Sequence, residues 1–340
     1  MQIIGRDIEP RLDWIALTDA LAQGHELPRA EVADTFLYRG GDTLLTRSAW
    51  IDGLGLAVKP ASVFPGNPAR GLPMINGVVN LLDDTTGALR ALVDFHLVTK
   101  WKTAGDSLLS ARRLARPDAR RVLVIGAGHV AESMIEAYRA LIPDARVSVW
   151  SRSGGSAAEL AGRTGTQAVS DLEPAVRDAE IIATATMATQ PVLRGEWLSP
   201  GTHVDLIGAY RPDMREADDE VLRRARLFVD SRATTIGHIG EIQAPLDQGV
   251  IRESDILGDF YDLPAGAYCR RSDDEITVAK NGGGAHLDLM TASYILSVAE
   301  SGAAQAAAGR GAISEGASRI GRWISAEDAP TPTPTHQTIV

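Results

Sequence analysis

The stretch Arg121-Val122-Leu123-Val124-Ile125-Gly126-Ala127-Gly128-His129-Val130-Ala131 decides the fold class of this chain. A short, largely β-branched run ends in glycines and leads at once into a segment with helical periodicity. The glycines fit the G-x-G-x-x-A form, in which the first permits a tight turn and the second lets the backbone approach a pyrophosphate. Ala131 is small enough for the helix to pack on the sheet, and the helix N-terminus faces the phosphates. This order of elements predicts a dinucleotide site.

Apolar runs on the carboxyl side extend this unit into a parallel sheet. A second strand, Val147–Trp150, follows the predicted helix, and strand, helix and strand within about 30 residues form a βαβ unit. Further runs at Ile181–Ala183, Val204–Ile207 and Leu227–Val229 continue the pattern. We therefore predict an α/β protein with a Rossmann-type dinucleotide-binding domain at residues 118–289.

The amino-terminal part has a different texture. Helical spacing predicts a first helix over residues 11–22, and short alternating runs broken by Gly, Pro, Asn and Asp follow between Thr35 and Leu92. Asp83–Gly87 is typical of a hairpin turn. A helix is predicted over Leu97–Leu114, before a boundary at Pro117. These features predict a mixed α+β domain at residues 1–117.

At the other end of the chain, a glycine-rich turn precedes a predicted helix over Leu287–Glu300. Ala329–Thr335 alternates proline and threonine and cannot bury enough apolar area to order itself. We therefore predict a disordered tail at residues 326–340.

Composition limits the classes of protein to consider. A net charge of −10 argues against nucleic acid or an anionic membrane as the main partner. The single cysteine, Cys269, fits a reducing compartment, and the seven histidines lack metal-ligand spacing. No long apolar run indicates a signal peptide or a membrane span. We predict a cytoplasmic protein without a catalytic metal.

The end of the second strand bears on the choice of cofactor. An NAD site usually presents a carboxylate about 20 residues past the glycines, where it meets the ribose hydroxyls. Here the strand ends in Trp150-Ser151-Arg152-Ser153, without one. A guanidinium between two hydroxyls suits a 2′-phosphate, so NADP(H) is favoured and NAD(H) is possible. The alternative is a surface arginine that points into solvent.

Five stretches, taken in order, resemble the ornithine cyclodeaminase/mu-crystallin family. The resemblance runs from about Leu56 to Ala292, and the Gly-Glu-Trp and Arg-Pro-Asp motifs within Arg194–Glu216 are similar to its ketimine-reductase branch. It implies a homodimer built through the β-rich domain, to which the carboxyl-terminal helix returns, so that residues 290–325 belong with residues 1–117 to one substrate-binding and dimerisation domain. The stretches are Val58–Lys59, Phe64–Pro73, Lys100–Ala104, the glycine loop and Arg194–Glu216.

The resemblance implies a cationic substrate site. Lys59 matches the family's active-site lysine, which would pair with the substrate carboxylate and polarise or protonate the imine nitrogen. Without the resemblance it would be an ordinary surface lysine. Lys102 stands where the family has a carboxylate-binding arginine, with Thr103 next to it near the cofactor phosphates. Asn67 and Arg47 are further candidate substrate contacts, although Arg47 does not align cleanly with the family's upstream arginine, and Lys100 is a candidate solvated neighbour.

Tyr210 is the largest departure from the family's pattern. Cyclodeaminases carry an aspartate there, and a phenol with an ordinary pKa of about 10 cannot replace it as a base. We count Tyr210 among the catalytic candidates, with Arg211 and Asp213 as polar neighbours. His286 and Asp288 form a weaker acid/base candidate, since a histidine at a helix start more often caps or packs.

Together these features predict an NAD(P)H-dependent reductase of a small cyclic ketimine acid such as 1-pyrroline-2-carboxylate, giving the L-amino acid. The alternatives are an ammonia-releasing ornithine or lysine cyclodeaminase, an amino-acid dehydrogenase, and a non-catalytic NADPH-linked ligand-binding protein. The resemblance implies that Thr184 and Thr186 lie near the nicotinamide ribose and that Asn281 lies near the carboxamide. The remaining predicted cofactor contacts are Thr103, Gly126, Gly128, His129, Val130, Ser151, Arg152 and Ser153.

Overall fold

The computed structural model describes residues 1–302, and Met1–Leu296 form one compact unit. A second unit begins at Ser297, and its described residues, 297–302, are helical. The predicted tail at residues 326–340 and residues 303–325 of the segment predicted to return to the β-rich domain lie outside the described residues. The division at residue 117 stays a prediction, because Met1–Leu296 is not subdivided further.

Thirteen strands and nine helices follow one another within the described residues. The strands are β1 Gln2–Ile4, β2 Glu31–Arg39, β3 Asp42–Ile51, β4 Gly55–Val63, β5 Ile75–Leu82, β6 Leu89–Asp94, β7 Arg121–Ile125, β8 Arg146–Trp150, β9 Gln167–Ala168, β10 Ile181–Thr184, β11 His203–Leu206, β12 Ala225–Val229 and β13 Ile276–Lys280. The helices are α1 Trp14–Gly24, α2 Phe95–Leu114, α3 His129–Leu141, α4 Gly154–Thr164, α5 Leu172–Asp178, α6 Asp219–Arg224, α7 Arg232–Thr235, α8 Gly240–Asp247 and α9 over residues 285–302.

The first sheet has the order β1-β6-β5-β4-β3-β2. Its neighbours are antiparallel, except that β1 runs parallel to β6. The hairpin predicted at Asp83–Gly87 is confirmed, because β5 and β6 pair on either side of it. The first helix begins at Trp14 rather than at residue 11. Arg6–Arg11 forms a 3-10 turn, and the Asp13 carboxylate then accepts from Ala16 N to cap α1.

The second sheet is parallel throughout and has the order β12-β13-β11-β10-β7-β8-β9. Its inner strands are buried on both faces, with Leu123, Ile182 and Val204 in the core cluster. Burying each such side chain contributes roughly 1.5–3 kcal/mol relative to leaving it exposed. The chain leaves β7 first for β8 and later pairs β10 on the other side of β7. This strand order and the parallel pairing confirm the predicted Rossmann-type fold. Open α/β sheets bind their ligands at the point where the strand order reverses, which here lies at the carboxyl end of β7.

Helix α2 reaches both sheets, since it packs against β5 and β6 as well as β11 and β13. It begins where the Asp94 carboxylate accepts from Leu97 N at 2.7 Å. Its Trp101 ring stacks on Trp14 of α1, with ring centroids 3.9 Å apart. The helix thereby holds its polar residues near the carboxyl end of β13. None of the helices within residues 1–302 has the length and apolar character of a transmembrane span.

Candidate active site

Lys59 points into the protein from β4. Alternate residues of this strand are buried, and Lys59 takes one of the inward positions with 5% of its surface exposed. Its Nζ donates to Asp288 Oδ1 at 2.8 Å and to Thr99 Oγ1 at 2.9 Å. The same nitrogen lies 4.5 Å from the centroid of the Phe95 ring. Lys59 is therefore a buried, partnered ammonium and not a surface lysine.

Lys102 shares the same carboxylate. Its Nζ lies 3.2 Å from Asp288 Oδ1, and 7% of the residue is exposed. A Cβ placed on Gly283 would be 3.8 Å from Lys102 Nζ, so the Gly282–Gly284 segment that follows β13 packs directly against this ammonium. β4, α2 and the first turn of α9 thus bring two cations and one anion together.

The charges in this cluster change one another's pKa. Burial lowers the pKa of Lys59 to about 8; the Asp288 carboxylate opposes this change, and the Lys102 charge adds to it. Burial acts to raise the pKa of Asp288, but Lys102 and Lys59 hold it at about 2. Asp288 also lies in the first turn of α9, where the helix dipole favours an anion. Two ammonium groups against one carboxylate leave an excess positive charge that suits an anionic substrate.

Arg47 and Asn67, the other predicted substrate contacts, are engaged elsewhere. Arg47 stands opposite Lys59 in the β3–β4 register, and its guanidinium binds both Asp34 oxygens at 2.7–3.1 Å. Its charge still acts on Asp288. The Asn67 amide donates to Pro73 O at 2.8 Å and so organises the loop after β4. Their contacts with substrate stay predictions.

The dinucleotide edge holds a cavity of about 440 Å³. Gly126 has φ of +130°, and a Cβ there would lie 2.4 Å from Ala185 O, so only glycine fits this close approach. A Cβ on Gly128 would meet nothing within 4 Å, which leaves open space in front of the N-terminus of α3. This cradle fits a pyrophosphate. The cavity lining brings together six predicted cofactor residues: Gly126, Gly128, Ser151, Arg152, Ser153 and Thr186.

Two other predicted cofactor residues bond to protein groups. The Thr184 hydroxyl is buried and donates to Glu216 Oε2 at 2.8 Å. The Asn281 amide donates to Asp106 Oδ1 at 2.7 Å and accepts from Ser107 Oγ at 3.2 Å. Both side chains hold loops in place around the site. Direct cofactor contacts by these two residues, and by Thr103, His129 and Val130, stay predictions.

Tyr210 is 55% exposed in the loop after β11. Its neighbours pair with each other, since Arg211 Nε lies 2.9 Å from Asp213 Oδ1. Lys100, considered above as a solvated neighbour of the site, instead forms ion pairs with Glu9 at 2.8 Å and Glu136 at 2.6 Å. A role for Tyr210 in catalysis stays a prediction.

Asp288 is the residue whose role sequence reasoning missed, because it was weighed only as an acid/base partner of His286. Burial lowers the pKa of His286 to about 3, so this imidazole is neutral at physiological pH. Its ring lies against that of His25, with centroids 5.6 Å apart. The available signal was a carboxylate in the otherwise apolar run Leu287–Met290, since a buried charge requires a partner.

Within residues 1–302, no three His, Cys, Asp or Glu side chains converge as a metal site would require. A parallel sheet with a phosphate cradle at its reversal point, and a buried lysine pair around one carboxylate, define a nicotinamide-dependent oxidoreductase.

Comparison with known proteins agrees with this class. The chain belongs to the ornithine cyclodeaminase/mu-crystallin family, whose model matches residues 49–303. It is 54% identical over 299 residues to Delta(1)-pyrroline-2-carboxylate reductase of Paracoccus denitrificans, covering 86% of this chain and 95% of that protein.

Two solved structures have the same fold. The first is Thermococcus litoralis Delta(1)-pyrroline-2-carboxylate reductase in complex with NADH and L-proline, with a TM-score of 0.80 and 27% identity over 89% of this chain and 98% of that one. The second is an archaeal alanine dehydrogenase dimer with bound NAD, with a TM-score of 0.79 and 27% identity over 88% and 96%. The family, the fold and the phosphate cradle together support a nicotinamide cofactor.

Proposed function

We propose that this protein reduces a small cyclic ketimine acid, such as Δ1-pyrroline-2-carboxylate, to the L-amino acid with NAD(P)H. The observation that carries the proposal is the cluster of Lys59, Lys102 and Asp288, in which two buried ammonium groups share one carboxylate. Relatives that share the fold carry this activity in their names, which supports the assignment.

The cluster offers the substrate an anion site next to a proton donor. The substrate carboxylate would seat against Lys59 and Lys102, which together carry one more charge than Asp288 neutralises. Reduced nicotinamide, when bound, supplies hydride to the imine carbon. A proton on the imine nitrogen makes that carbon more electrophilic. Lys59, with a pKa of about 8, can both hold a proton at neutral pH and release it to that nitrogen.

Asp288 keeps Lys59 charged in surroundings that would otherwise neutralise it. The Lys59 ammonium also lies over the Phe95 ring, and this cation–π contact favours the charged form. The proton that Lys59 would give to the imine nitrogen, together with the hydride from the cofactor, would balance the reduction of the C=N bond to the amine.

Activity and binding measurements test the proposal together. The purified protein should oxidise NAD(P)H in the presence of Δ1-pyrroline-2-carboxylate and form proline. Lys59→Ala should keep cofactor affinity and lose turnover, because the anion site and the proton donor are removed. Ammonia release from ornithine without net NADH consumption would indicate a cyclodeaminase instead. Tight NADPH binding with no turnover on a panel of ketimines would indicate a ligand carrier.

NADP(H) is our proposed preference within the nicotinamide class. Arg152, between Ser151 and Ser153, borders the cavity beside the phosphate cradle, and no carboxylate takes that place. An acidic residue there would select NAD through the ribose hydroxyls, whereas a guanidinium suits a 2′-phosphate.

We also propose a homodimer built through the first sheet. All of β2 is exposed at the edge of that sheet. Apolar side chains on β2 and β3 include Phe36, Leu37, Tyr38 and Leu44, which are 41–73% exposed. Long apolar edge strands rarely stay uncovered, and a related alanine dehydrogenase is a dimer. Light scattering tests the stoichiometry, and a charge introduced at Leu37 should shift it to monomer.

A further inference from the structure

Glu216 lies wholly buried beneath the carboxyl ends of β10 and β11. Its Oε1 accepts from the backbone N of Thr186 and from the Thr186 hydroxyl, both at 2.7 Å. Its Oε2 accepts from Gly208 N at 2.6 Å and Ala209 N at 3.1 Å, and from Thr184 Oγ1 at 2.8 Å. One carboxylate therefore joins the loop after β10 to the loop after β11.

The first of these loops, after β10, borders the cofactor cavity, and the Glu216 carboxylate ties the second loop to it. The loop after β10 contributes Ala185–Ala188 to the cavity lining, opposite Ser151–Ser153 at the end of β8. A dinucleotide in such a fold lies across the point where the strand order reverses, with its two halves on opposite sides. With the adenosine half at the end of β8, the nicotinamide half would lie at the ends of β10 and β11.

The loops after β10 and β11 are tightly packed where Glu216 joins them. A Cβ on Gly208 would lie 2.3 Å from Thr186 O and 2.5 Å from Glu216 Oε1. Below it, the Glu241 carboxylate accepts from Glu216 N at 2.6 Å, and Lys280 Nζ donates to Leu206 O and Ala209 O at 2.7 Å each. Glu241 and Lys280 are themselves fully buried.

We propose that Glu216 is a positioning residue for the nicotinamide half of the cofactor. It acts through the backbone of residues 184–188 and 208–209, and not by touching the cofactor. The inference rests on the nicotinamide-dependent activity proposed above. It states that one buried carboxylate fixes the position of the two loops against which the nicotinamide half would bind. The hydrogen bonds that the Glu216 carboxylate accepts come from residues 184–186 and 208–209, and none comes from Gly126–Gly128 or residues 151–153, where the adenosine half is expected.

Glu216→Gln tests this with nearly unchanged shape. Both carboxylate oxygens accept a backbone N–H, so the amide nitrogen of glutamine would face a donor in either orientation. Losing charge-assisted hydrogen bonds in a buried site should weaken NADPH and NADH binding by about tenfold or more. Adenosine 2′,5′-bisphosphate, which lacks the nicotinamide half, should bind within about twofold of wild type because its hydrogen-bond partners are unchanged. Fluorescence titration measures both affinities.

Glu180→Gln is the matched control. Glu180 also accepts two backbone N–H groups, from Arg120 and Arg121, but at the opposite ends of the strands. It should leave both affinities unchanged. Equal weakening of the whole cofactor and the fragment by Glu216→Gln would overturn the proposal, since that pattern indicates general loss of structure. Unchanged NADPH affinity would overturn it as well.

Thr184→Val carries the test if Glu216→Gln does not fold. It removes one hydroxyl donor to Glu216 and keeps the volume of a residue that is 1% exposed. It should weaken NADPH severalfold without affecting the bisphosphate, and no selective loss would overturn the proposal. Both readouts are binding constants, so they remain informative even if the protein does not reduce ketimines.

Discussion

Replacing Asp288 with asparagine should move the pH dependence of turnover toward acid. Asp288 is the counter-ion that opposes neutralisation of Lys59, at 2.8 Å from its Nζ. An opposite charge at such a distance moves a pKa by about 1 to 3. Its removal should therefore lower the pKa of Lys59 from about 8 to between about 5 and 7. The ammonium form exists below that pKa and is lost as the pH rises through it.

The expected loss of rate follows from the fraction of Lys59 that is protonated at a given pH. At pH 7.5 a group with a pKa of about 8 is roughly three-quarters protonated, and one with a pKa of about 6 is roughly 3% protonated. The kcat for imine reduction should thus fall about 25-fold at pH 7.5, with most of it recovered below pH of about 6. Steady-state kcat measured against pH with Δ1-pyrroline-2-carboxylate checks this.

Glu9→Gln serves as the control, because it removes a carboxylate that pairs with Lys100 of α2, away from the lysine pair. That variant should keep the wild-type profile. Asp288→Asn with wild-type kcat and an unchanged alkaline limb would refute the electrostatic reasoning. A loss of rate that stays the same at every pH, in a protein with native circular dichroism, would refute it too.

Three further substitutions probe the same site. Lys59→Arg should keep the positive charge of the site but lose turnover at every pH, because a guanidinium does not release its proton to the imine nitrogen; a kcat close to that of the wild type would exclude Lys59 as the proton donor. Lys102→Arg should lower the KM for the imino acid severalfold, since the bidentate fork grips a carboxylate better than an ammonium; an unchanged KM would place Lys102 outside the carboxylate contact. Arg152→Ala should raise the KM for NADPH by about tenfold and leave that for NADH within about twofold, and parallel changes in the two constants would count against a 2′-phosphate contact.

Short-range sequence patterns predict several elements of this fold correctly. The run Arg121–Ala131 combines a β-branched strand, glycines with a defined geometric role and a helix start within eleven residues, all of which act over short range. The structure places the tight turn at Gly126, as the pattern predicts. The hairpin at Asp83–Gly87 is local in the same sense, and its strands pair as predicted.

The interior of the site depends on long-range contacts that no local pattern specifies. Asp288 follows Lys59 by 229 positions, and their contact exists only because α9 begins beside β4. Glu216 meets Thr186 from 30 positions away. The amide of Asn281 bonds to Asp106 and Ser107, two partners 175 and 174 positions away that the sequence does not reveal. Sequence patterns indicate which side chains are polar and roughly where they lie, but tertiary packing decides which of them pair.

Helix α2 sets the distance between two parts of the proposed substrate site. Lys102, the proposed contact of the substrate carboxylate, and Asp106, which bonds to Asn281, stand one turn apart on this helix. The distance between the Lys102 ammonium and the loop at Asn281 is therefore fixed by the helix and does not increase for a longer substrate. Acids whose C=N carbon directly bears the carboxylate should be accepted across a range of ring sizes, whereas homologues with an inserted methylene should be turned over poorly whatever their ring.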